Sequence, residues 1–295
     1  MAKQRKPFLL FRPPEEAQLR FYGAYDPEFL YRKVDILHAI YKNRDEFGRF
    51  MTAIGGTNDG QDENHYFTAL AIEIYCSTFQ QFESLFALLM AVFQTLPHWL
   101  FLTRYTTDEM LRKIEAFARG EIADLTGGSC CSGREFIAKA VYPGTEIHDN
   151  TAFAKTLDDL SWFLTEMAKS YLAGRSEYNA YKHGLRVLAG DGVQLRVDVG
   201  RGSGDYRPVF TMGHSISFLE IEKRTNEYAA EEITKEINEE GSFQAMHIMC
   251  AVAKATRKIR LAVLRREKCV EIPTFEIDRV GLLKLKPVTR FAFPF

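Results

Sequence analysis

One segment constrains the fold more than any other, because its large apolar side chains recur every three or four residues. They are Tyr75, Phe79, Phe82, Phe86, Leu89, Phe93 and Leu96. This period is that of one face of an α-helix. A second row of leucine and valine residues widens the apolar face, so the segment predicts a central, buried helix of about thirty residues that ends at Pro97.

Other segments carry signals for further helices. Asp26-Pro27 has the N-cap and first-turn pattern of a helix, which we expect to continue to about Ile54. Thr106 and Ser132 are each followed three residues later by a glutamate, which is the capping-box pattern. Another apolar stripe covers residues 153–171. Helices with such stripes pack best against one another, which indicates a helical bundle.

The apolar period changes from helical to two after the helical region. Residues 193–199 alternate valine or leucine with polar residues, and together with residues 185–188 they predict a β-hairpin. Residues 206–222 predict a further strand pair. Later patterns predict helices at 227–238 and 243–266 and strand-like runs at Val270–Ile272 and Leu283–Leu285.

We therefore predict a mainly α fold of the α+β type, in which a helical bundle carries a small antiparallel β-sheet. No repeat, low-complexity linker or sharp change of composition divides the chain, which predicts a single domain over residues 1–295. Within it we expect a bundle core at 26–184, antiparallel strands at 185–222, and C-terminal helices with short terminal strands at 226–295.

The composition excludes several classes of function. Lys and Arg total 38 against 39 Asp and Glu, a formal net charge of -1, and 46% of the residues are hydrophobic. Such a chain can bury a real core. It has neither the basic coat of a DNA-binding protein nor a disordered acidic tail. Any site for a polyanion must therefore be local.

The cysteines and the apolar segments indicate a cytoplasmic protein without a membrane partner. Five Cys, an odd number, are scattered along the chain, and the N-terminus lacks an apolar segment followed by a small-residue cleavage site. The longest apolar stretch, Leu85–Phe93, is nine residues long. Roughly 20 are needed to span a bilayer, so this stretch is predicted to be core.

The sequence gives no sign of a metal or a cofactor. Cys130 and Cys131 are adjacent, without the two-residue gap that lets both thiolates reach one zinc ion. No Cys-x-x-Cys, His-Glu-x-x-His, Gly-x-Ser-x-Gly or P-loop pattern occurs. We therefore expect neither a metal site nor a cofactor.

The segment Tyr178–Gly184 contains the clearest candidate for a functional site. Asn179 and His183 are four residues apart and share one face of a helix, with Lys182 next to them. Gly184 suits the left-handed residue that ends a helix. These polar groups can bind or cleave a ligand, or they can simply bond to the backbone of the helix end.

A helical bundle followed by a short helix with Asn179, Lys182 and His183, ending in Gly184, resembles the HEPN superfamily. The signature of that family is an arginine, four to six residues, and then a histidine. The resemblance covers residues 64–184. It implies a metal-independent ribonuclease of the toxin, phage-defence or RNA-processing type, or a decayed relative, with RNA as the partner. Members work as dimers in which the two motifs meet, so the resemblance also implies a homodimer.

The position of the arginine departs from that signature. Arg175 is the nearest upstream arginine, and seven residues separate it from His183. Ser176, Glu177 and Tyr178 stand where the family arginine would be.

A ribonuclease of this kind needs a proton shuttle near neutral pH and a cation on the scissile phosphate. His183 would supply the shuttle, and Lys182 or Arg175 the cation. Asn179 would orient the imidazole or the phosphate.

A second group of basic residues predicts contacts with an RNA backbone. One side of the helix expected at 243–266 carries Lys254, Arg257, Lys258 and Arg265. The alternative is a solvated helix face, because Lys and Arg are common in the last turns of helices and the glutamates at 231–240 can neutralise them.

Two hypotheses follow from these patterns. In the first, the chain is an RNA-directed HEPN-like protein, active or decayed, in which two copies of residues 175–184 face each other across a dimer cleft. In the second, the chain is a non-catalytic helical protein-interaction module, whose helix end at 175–184 is covered or solitary.

Overall fold

The computed structural model describes the chain in segments. These are residues 14–53, 60–94, 97–144, 151–183, 187–190, 194–198, 206–211, 213–223, 228–267, 273–277, 279 and 288–293. Within them the protein is mainly helical with small antiparallel sheets, which confirms the predicted fold class.

The chain separates into two compact units, each assembled from three stretches of sequence. Unit 1 comprises Met1–Glu28, Glu83–Lys169 and Cys250–Ile277, and unit 2 comprises Phe29–Phe82, Ser170–Met249 and Asp278–Phe295. Three long helices contribute residues to both units: α4 Gly60–Met90, α9 Thr151–Ala173 and α11 Glu239–Leu264. Three of the five boundaries between the units fall inside these helices, where no linker in the sequence marks them.

The remaining helices of unit 1 are short. They are α1 Pro14–Ala24, α5 His98–Leu102, α6 Thr107–Ala118, α7 Ile122–Leu125 and α8 Gly133–Val141. Both predicted helix starts are confirmed, with Thr106 and Ser132 as the N-caps of α6 and α8. The backbone N–H of Glu109 donates to Thr106 Oγ1 at 3.2 Å, and that of Glu135 donates to Ser132 Oγ at 3.2 Å.

Unit 2 adds the helices α2 Phe29–Lys42, α3 Arg44–Ala53 and α10 Arg175–Lys182. The single helix predicted from Asp26 to about Ile54 is therefore wrong, because the chain forms two helices there. Asn43 separates them. Its side-chain amide donates to the Ala39 carbonyl at 2.7 Å and satisfies an acceptor at the end of α2, while its own carbonyl accepts the N–H of Phe47 in α3.

The apolar stripe of α4 supplies much of the core of each unit. Phe79, Phe82 and Phe86 are buried, whereas Phe93, in a 3₁₀ turn beyond α4, is only partly buried. In unit 1 the Phe86 ring meets Phe117 edge to face at 5.5 Å. In unit 2 the Phe82 ring lies 5.6 Å from that of Tyr171. The prediction of a buried helix is thus confirmed.

One helix in the described part of the chain, Asn64–Phe93, is long and apolar enough to cross a membrane by length and composition. However, 72% of its most apolar window is buried inside the protein. Burial of that extent is what the core helix of a folded domain requires.

The strands lie in unit 2 and form two antiparallel sheets. They are β1 Val187–Gly190, β2 Gln194–Asp198, β3 Tyr206–Thr211, β4 Ser215–Lys223, β5 Tyr228–Glu236 and β6 Val288–Phe293. One sheet has the order β1-β4-β5-β6, and the other contains β2 and β3. The first sheet packs against α10 through a small core in which Phe218, Ile233 and Ala180 are buried.

The predicted strands exist, but their predicted pairing is wrong. β1 does not form a hairpin with β2; it pairs with β4, with Val187 opposite Phe218. Likewise β3 pairs with β2 rather than with β4. The reason is that β4 pairs instead with the following strand, β5, over nine residues. This pairing extends from Ser215 opposite Glu236 to Lys223 opposite Tyr228.

The helix predicted at 227–238 is also wrong, since β5 occupies that segment. Helix α11 then begins at Glu239, earlier than the predicted residue 243, where the Asn238 side chain accepts the N–H of Gly241 at 3.1 Å. The strand-like runs predicted at Val270–Ile272 and Leu283–Leu285 lie outside the described residues. Strand β6 carried no prediction of its own.

Candidate functional site on helix α10

Helix α10 carries three of the four residues predicted as catalytic, and the fourth, His183, is its C-cap. It follows α9 after a single residue, Gly174, where a β-carbon would lie 2.4 Å from Phe79 Cζ. The Gly174 carbonyl accepts the N–H of Tyr178 at 3.1 Å, so α10 is hydrogen-bonded from its first turn. Gly174 is therefore required by the close approach of an aromatic ring.

The polar groups at the end of α10 are open to solvent. Lys182 and His183 are exposed, and Asn179 is partly buried. The backbone N–H of His183 is shared between the carbonyls of Asn179 and Ala180, at 3.3 and 3.2 Å, so His183 ends the helix. The Lys182 ammonium lies 4.0 Å from the centroid of the Tyr178 ring. Gly184, the predicted left-handed cap, lies outside the described residues.

Arg175 and His183 are at opposite ends of α10. Their eight-residue separation corresponds to about 12 Å along the helix axis. Helix α10 begins directly at Arg175, so the regular helix does not bring the guanidinium and the imidazole together. Arg175 is partly buried and pairs with no carboxylate among the described residues.

Sequence reasoning missed the most strongly held side chain of α10, Glu177. Its carboxylate is only 1% exposed, and both of its oxygens accept from Lys235 Nζ at 2.9 Å. Tyr75 donates its hydroxyl to the same carboxylate at 3.0 Å. Lys235 also donates to the Ala173 carbonyl at 2.9 Å. The ion pair thereby joins α10 to β5, and the hydrogen bond from Tyr75 joins α10 to α4.

The acidic residue Glu73, on α4, forms a second polar cluster with α10. It accepts hydrogen bonds from Lys33 and Tyr181, and from Ser77 at 3.4 Å. Burial raises the pKa of the Glu73 carboxyl, but the hydrogen bonds from Lys33, Tyr181 and Ser77 outweigh it and the net pKa is lowered. Glu73 is therefore held as a carboxylate, and Tyr181 is tied to it.

These clusters keep Tyr75, on α4, and Tyr181, on α10, in their neutral forms. Burial holds the pKa of Tyr75 well above its ordinary value, and the Glu177 carboxylate raises it further. Burial and Glu73 raise the pKa of Tyr181 in the same way. No signal in the sequence pointed to either cluster, because Lys235 is 58 residues from Glu177 and lay in a segment predicted as helix.

In unit 1, the basic residues predicted on α11 mostly meet partners within the protein. Lys254 pairs with Glu28, and Arg265 with Glu267 at 3.7 Å. Arg257 donates to the carbonyls of Tyr22 and Gly23, at 2.8 and 3.0 Å, where α1 ends. Lys258 is exposed.

Arg260, which lies on the same helix, bonds in a similar way. It donates to the carbonyls of Lys139 and Ala140, both at 3.1 Å, near the end of α8. Both α11 arginines therefore satisfy carbonyls at helix ends, which are otherwise left without partners.

No cluster of three or more metal-ligating side chains occurs among the residues that the structure describes. Cys130 is buried and Cys131 is exposed, and both are free thiols. Comparison with family models, with characterised proteins and with solved structures finds no match. The side chains of α10 and their contacts are therefore the only indication of its function.

Proposed function

We propose that this chain binds single-stranded RNA without cleaving it, as a decayed relative of the HEPN-type ribonucleases. The observation that carries this proposal is Glu177. Five residues separate it from His183, which is the spacing of the family arginine, but it places a buried negative charge there. A carboxylate cannot stabilise the negative charge that develops on a phosphate during cleavage.

The surface at the end of α10 nevertheless suits phosphate. Lys182 and His183 are exposed, and Arg175 has no carboxylate partner in the described part of the chain. Cations at such positions attract a phosphate backbone and release its counterions. A general acid or base must be positioned for proton transfer. No side chain in the described part of the chain positions the imidazole of His183.

The test is binding of a fluorescent single-stranded RNA to the full chain in the presence of EDTA, followed by a gel for cleavage. We expect binding that weakens with salt, and intact RNA. Lys182→Gln should weaken binding and reduce the salt slope by about 0.7, the value for one lost phosphate contact on a single strand. Arg20→Gln is the matched control, because Arg20 is exposed on α1 in unit 1.

Two results would contradict this proposal in different ways. Absence of RNA binding would remove RNA as the partner. Cleavage in EDTA that is lost in His183→Ala would show an active ribonuclease, in which His183 works without the family arginine.

The second candidate is the protein-interaction module, which a pair of exposed leucines favours. Leu188 on β1 is 66% exposed and Leu219 on β4 is 59% exposed. Leu188 is opposite Ser217, so Leu219, two residues further along β4, lies on the same sheet face. A second copy of the chain is the partner to test, because an apolar patch can pair with itself across a two-fold axis.

Sedimentation of the wild-type chain and of Leu219→Glu distinguishes this candidate. A dimer that becomes a monomer in Leu219→Glu would support a homodimer formed through this face. A wild-type monomer would exclude it.

A further inference from the structure

Residues 273–277 lie in unit 1 against the end of α8 and one face of α9, where they form neither helix nor strand. The Pro273 carbonyl accepts the hydroxyl of Tyr142, the C-cap of α8, at 3.0 Å. On α9, Thr156 donates to the Phe275 carbonyl at 3.1 Å and accepts the Phe275 N–H at 2.9 Å. One hydroxyl thus satisfies both main-chain groups of one residue.

The contacts recur at every second residue of this segment. The Ile277 N–H donates to Asp159 Oδ2 at 3.4 Å. Thr156 and Asp159 are three residues apart and share a face of α9. Bonds at positions 273, 275 and 277 have the two-residue period of an extended chain. Side chains of α8 and α9 therefore hold the segment through its main chain, as a neighbouring strand would.

The side chains that hold the segment are buried. Thr156, Asp159 and Tyr142 all lie in the interior of unit 1. Burial raises the pKa of Tyr142 well above its ordinary value, so its hydroxyl stays a donor. Buried polar groups are costly when they are left without partners. This face of α9 is therefore built to be covered by a main chain that offers both donors and acceptors.

The segment itself makes few buried contacts. Ile277 is buried, but Thr274 and Glu276 are exposed, and Glu276 pairs with Lys155 at the surface. None of the described strands pairs with the segment. Ordering its five residues costs conformational entropy that these few contacts must offset. A segment held in this way opens locally while the rest of its domain stays folded.

We propose that this face of α9 is a binding site for an extended peptide of a partner protein, and that residues 273–277 fill it until they are displaced. The bound segment defines the chemistry of the partner. The peptide needs main-chain N–H groups at the positions of Phe275 and Ile277, an aliphatic side chain at the second position, and between them an acidic residue for Lys155. The site shares no residue with α10, so the inference does not depend on RNA binding.

Fluorescence anisotropy of a labelled peptide with the sequence of residues 271–279 tests the site on the full chain. In Ile277→Asp the attached segment carries a charge that is costly to bury, so it should leave the site. We expect this variant to bind the peptide roughly tenfold more tightly than the wild type, where the attached segment competes at a high effective concentration. A peptide that is N-methylated at Phe275 should bind roughly tenfold more weakly, because it lacks the N–H that Thr156 accepts.

Two substitutions on α9 show whether the affinity depends on the proposed contacts. Thr156→Val, added to Ile277→Asp, should remove most of the gained affinity, because both bonds to the peptide main chain are lost. Thr165→Val in the same background is the matched control. The Thr165 hydroxyl donates to the Ser161 carbonyl within α9 at 2.8 Å, so this change should leave the affinity for the peptide unaltered.

Hydrogen exchange of the isotope-labelled wild-type chain, followed by NMR, is a test that needs no variant. The amides of Phe275 and Ile277 should exchange roughly tenfold faster than that of Leu160, which is buried on α9, because the segment opens without its unit. An excess of the unlabelled peptide should accelerate their exchange further, since it keeps the segment out of the site.

Three results would overturn the inference. The peptide could fail to bind the folded Ile277→Asp chain, or its binding could survive Thr156→Val. Exchange of the Phe275 amide as slow as that of Leu160 would show that the segment is a fixed part of unit 1. Wild-type dimers that the peptide dissociates would support the inference, with a second copy of the chain as the partner.

Discussion

The ion pair between Glu177 and Lys235 should make a large contribution to the stability of unit 2. In Glu177→Gln the side chain keeps its shape and one acceptor oxygen but loses its charge. Breaking a buried pair from one side costs about 3–5 kcal/mol. The cost here is reduced, because Lys235 still donates to the Ala173 carbonyl and its side chain is 21% exposed. We expect Glu177→Gln to lower the free energy of unfolding by about 2–3 kcal/mol.

Urea unfolding followed by circular dichroism measures this change. The matched control is Glu166→Gln on α9, which breaks an ion pair of 2.7 Å with Lys169 at the surface. That variant should cost no more than about 0.5 kcal/mol. A double-mutant cycle with Lys235→Met then isolates the pair itself. Equal effects of Glu177→Gln and Glu166→Gln would refute the reasoning, since burial would then add nothing.

Two other predictions concern the cores. Phe82→Ala should lower the free energy of unfolding by about 3–5 kcal/mol in the same urea assay, because the ring is fully buried. Burial, and then Arg260, lower the pKa of His98 from 6.5 to about 4, so the unfolded chain binds this proton more readily than the folded protein. The stabilising contribution of neutral His98 is therefore complete above about pH 6.5 and lost as the pH falls towards 4, and His98→Gln should flatten that part of the curve of stability against pH.

The helices were predictable where their signals are local. The stripe containing Phe79, Phe82 and Phe86 repeats at the helical period, and the caps at Thr106 and Ser132 need only three residues of context. The break at Asn43 was missed because the apolar pattern continues through it. There a side chain competes with the backbone for hydrogen bonds, and the period of apolar residues does not report that competition.

The sheet was less predictable, because strand partners are distant along the chain. The β5 segment is rich in alanine and glutamate, which favour helices. Pairing with β4 over nine residues and with β6 over six overrides that preference, and Ile233 is buried against Phe218. The buried ion pair of Glu177 could not be predicted for the same reason, because its partner Lys235 lies in this strand.

The basic residues of α11 allow a test that separates cations that stabilise the fold from cations that bind RNA. Arg257 donates two hydrogen bonds to the carbonyls at the end of α1. Arg257→Gln should therefore lower the midpoint of thermal unfolding and leave RNA affinity unchanged. Arg175 meets no carboxylate in the described part of unit 2, so a phosphate that binds it displaces no internal ion pair. In a chain with a net charge of -1, such unpaired cations are the ones that we expect to contact RNA phosphates. Loss of RNA affinity in Arg257→Gln without loss of stability would instead place the interface on α11.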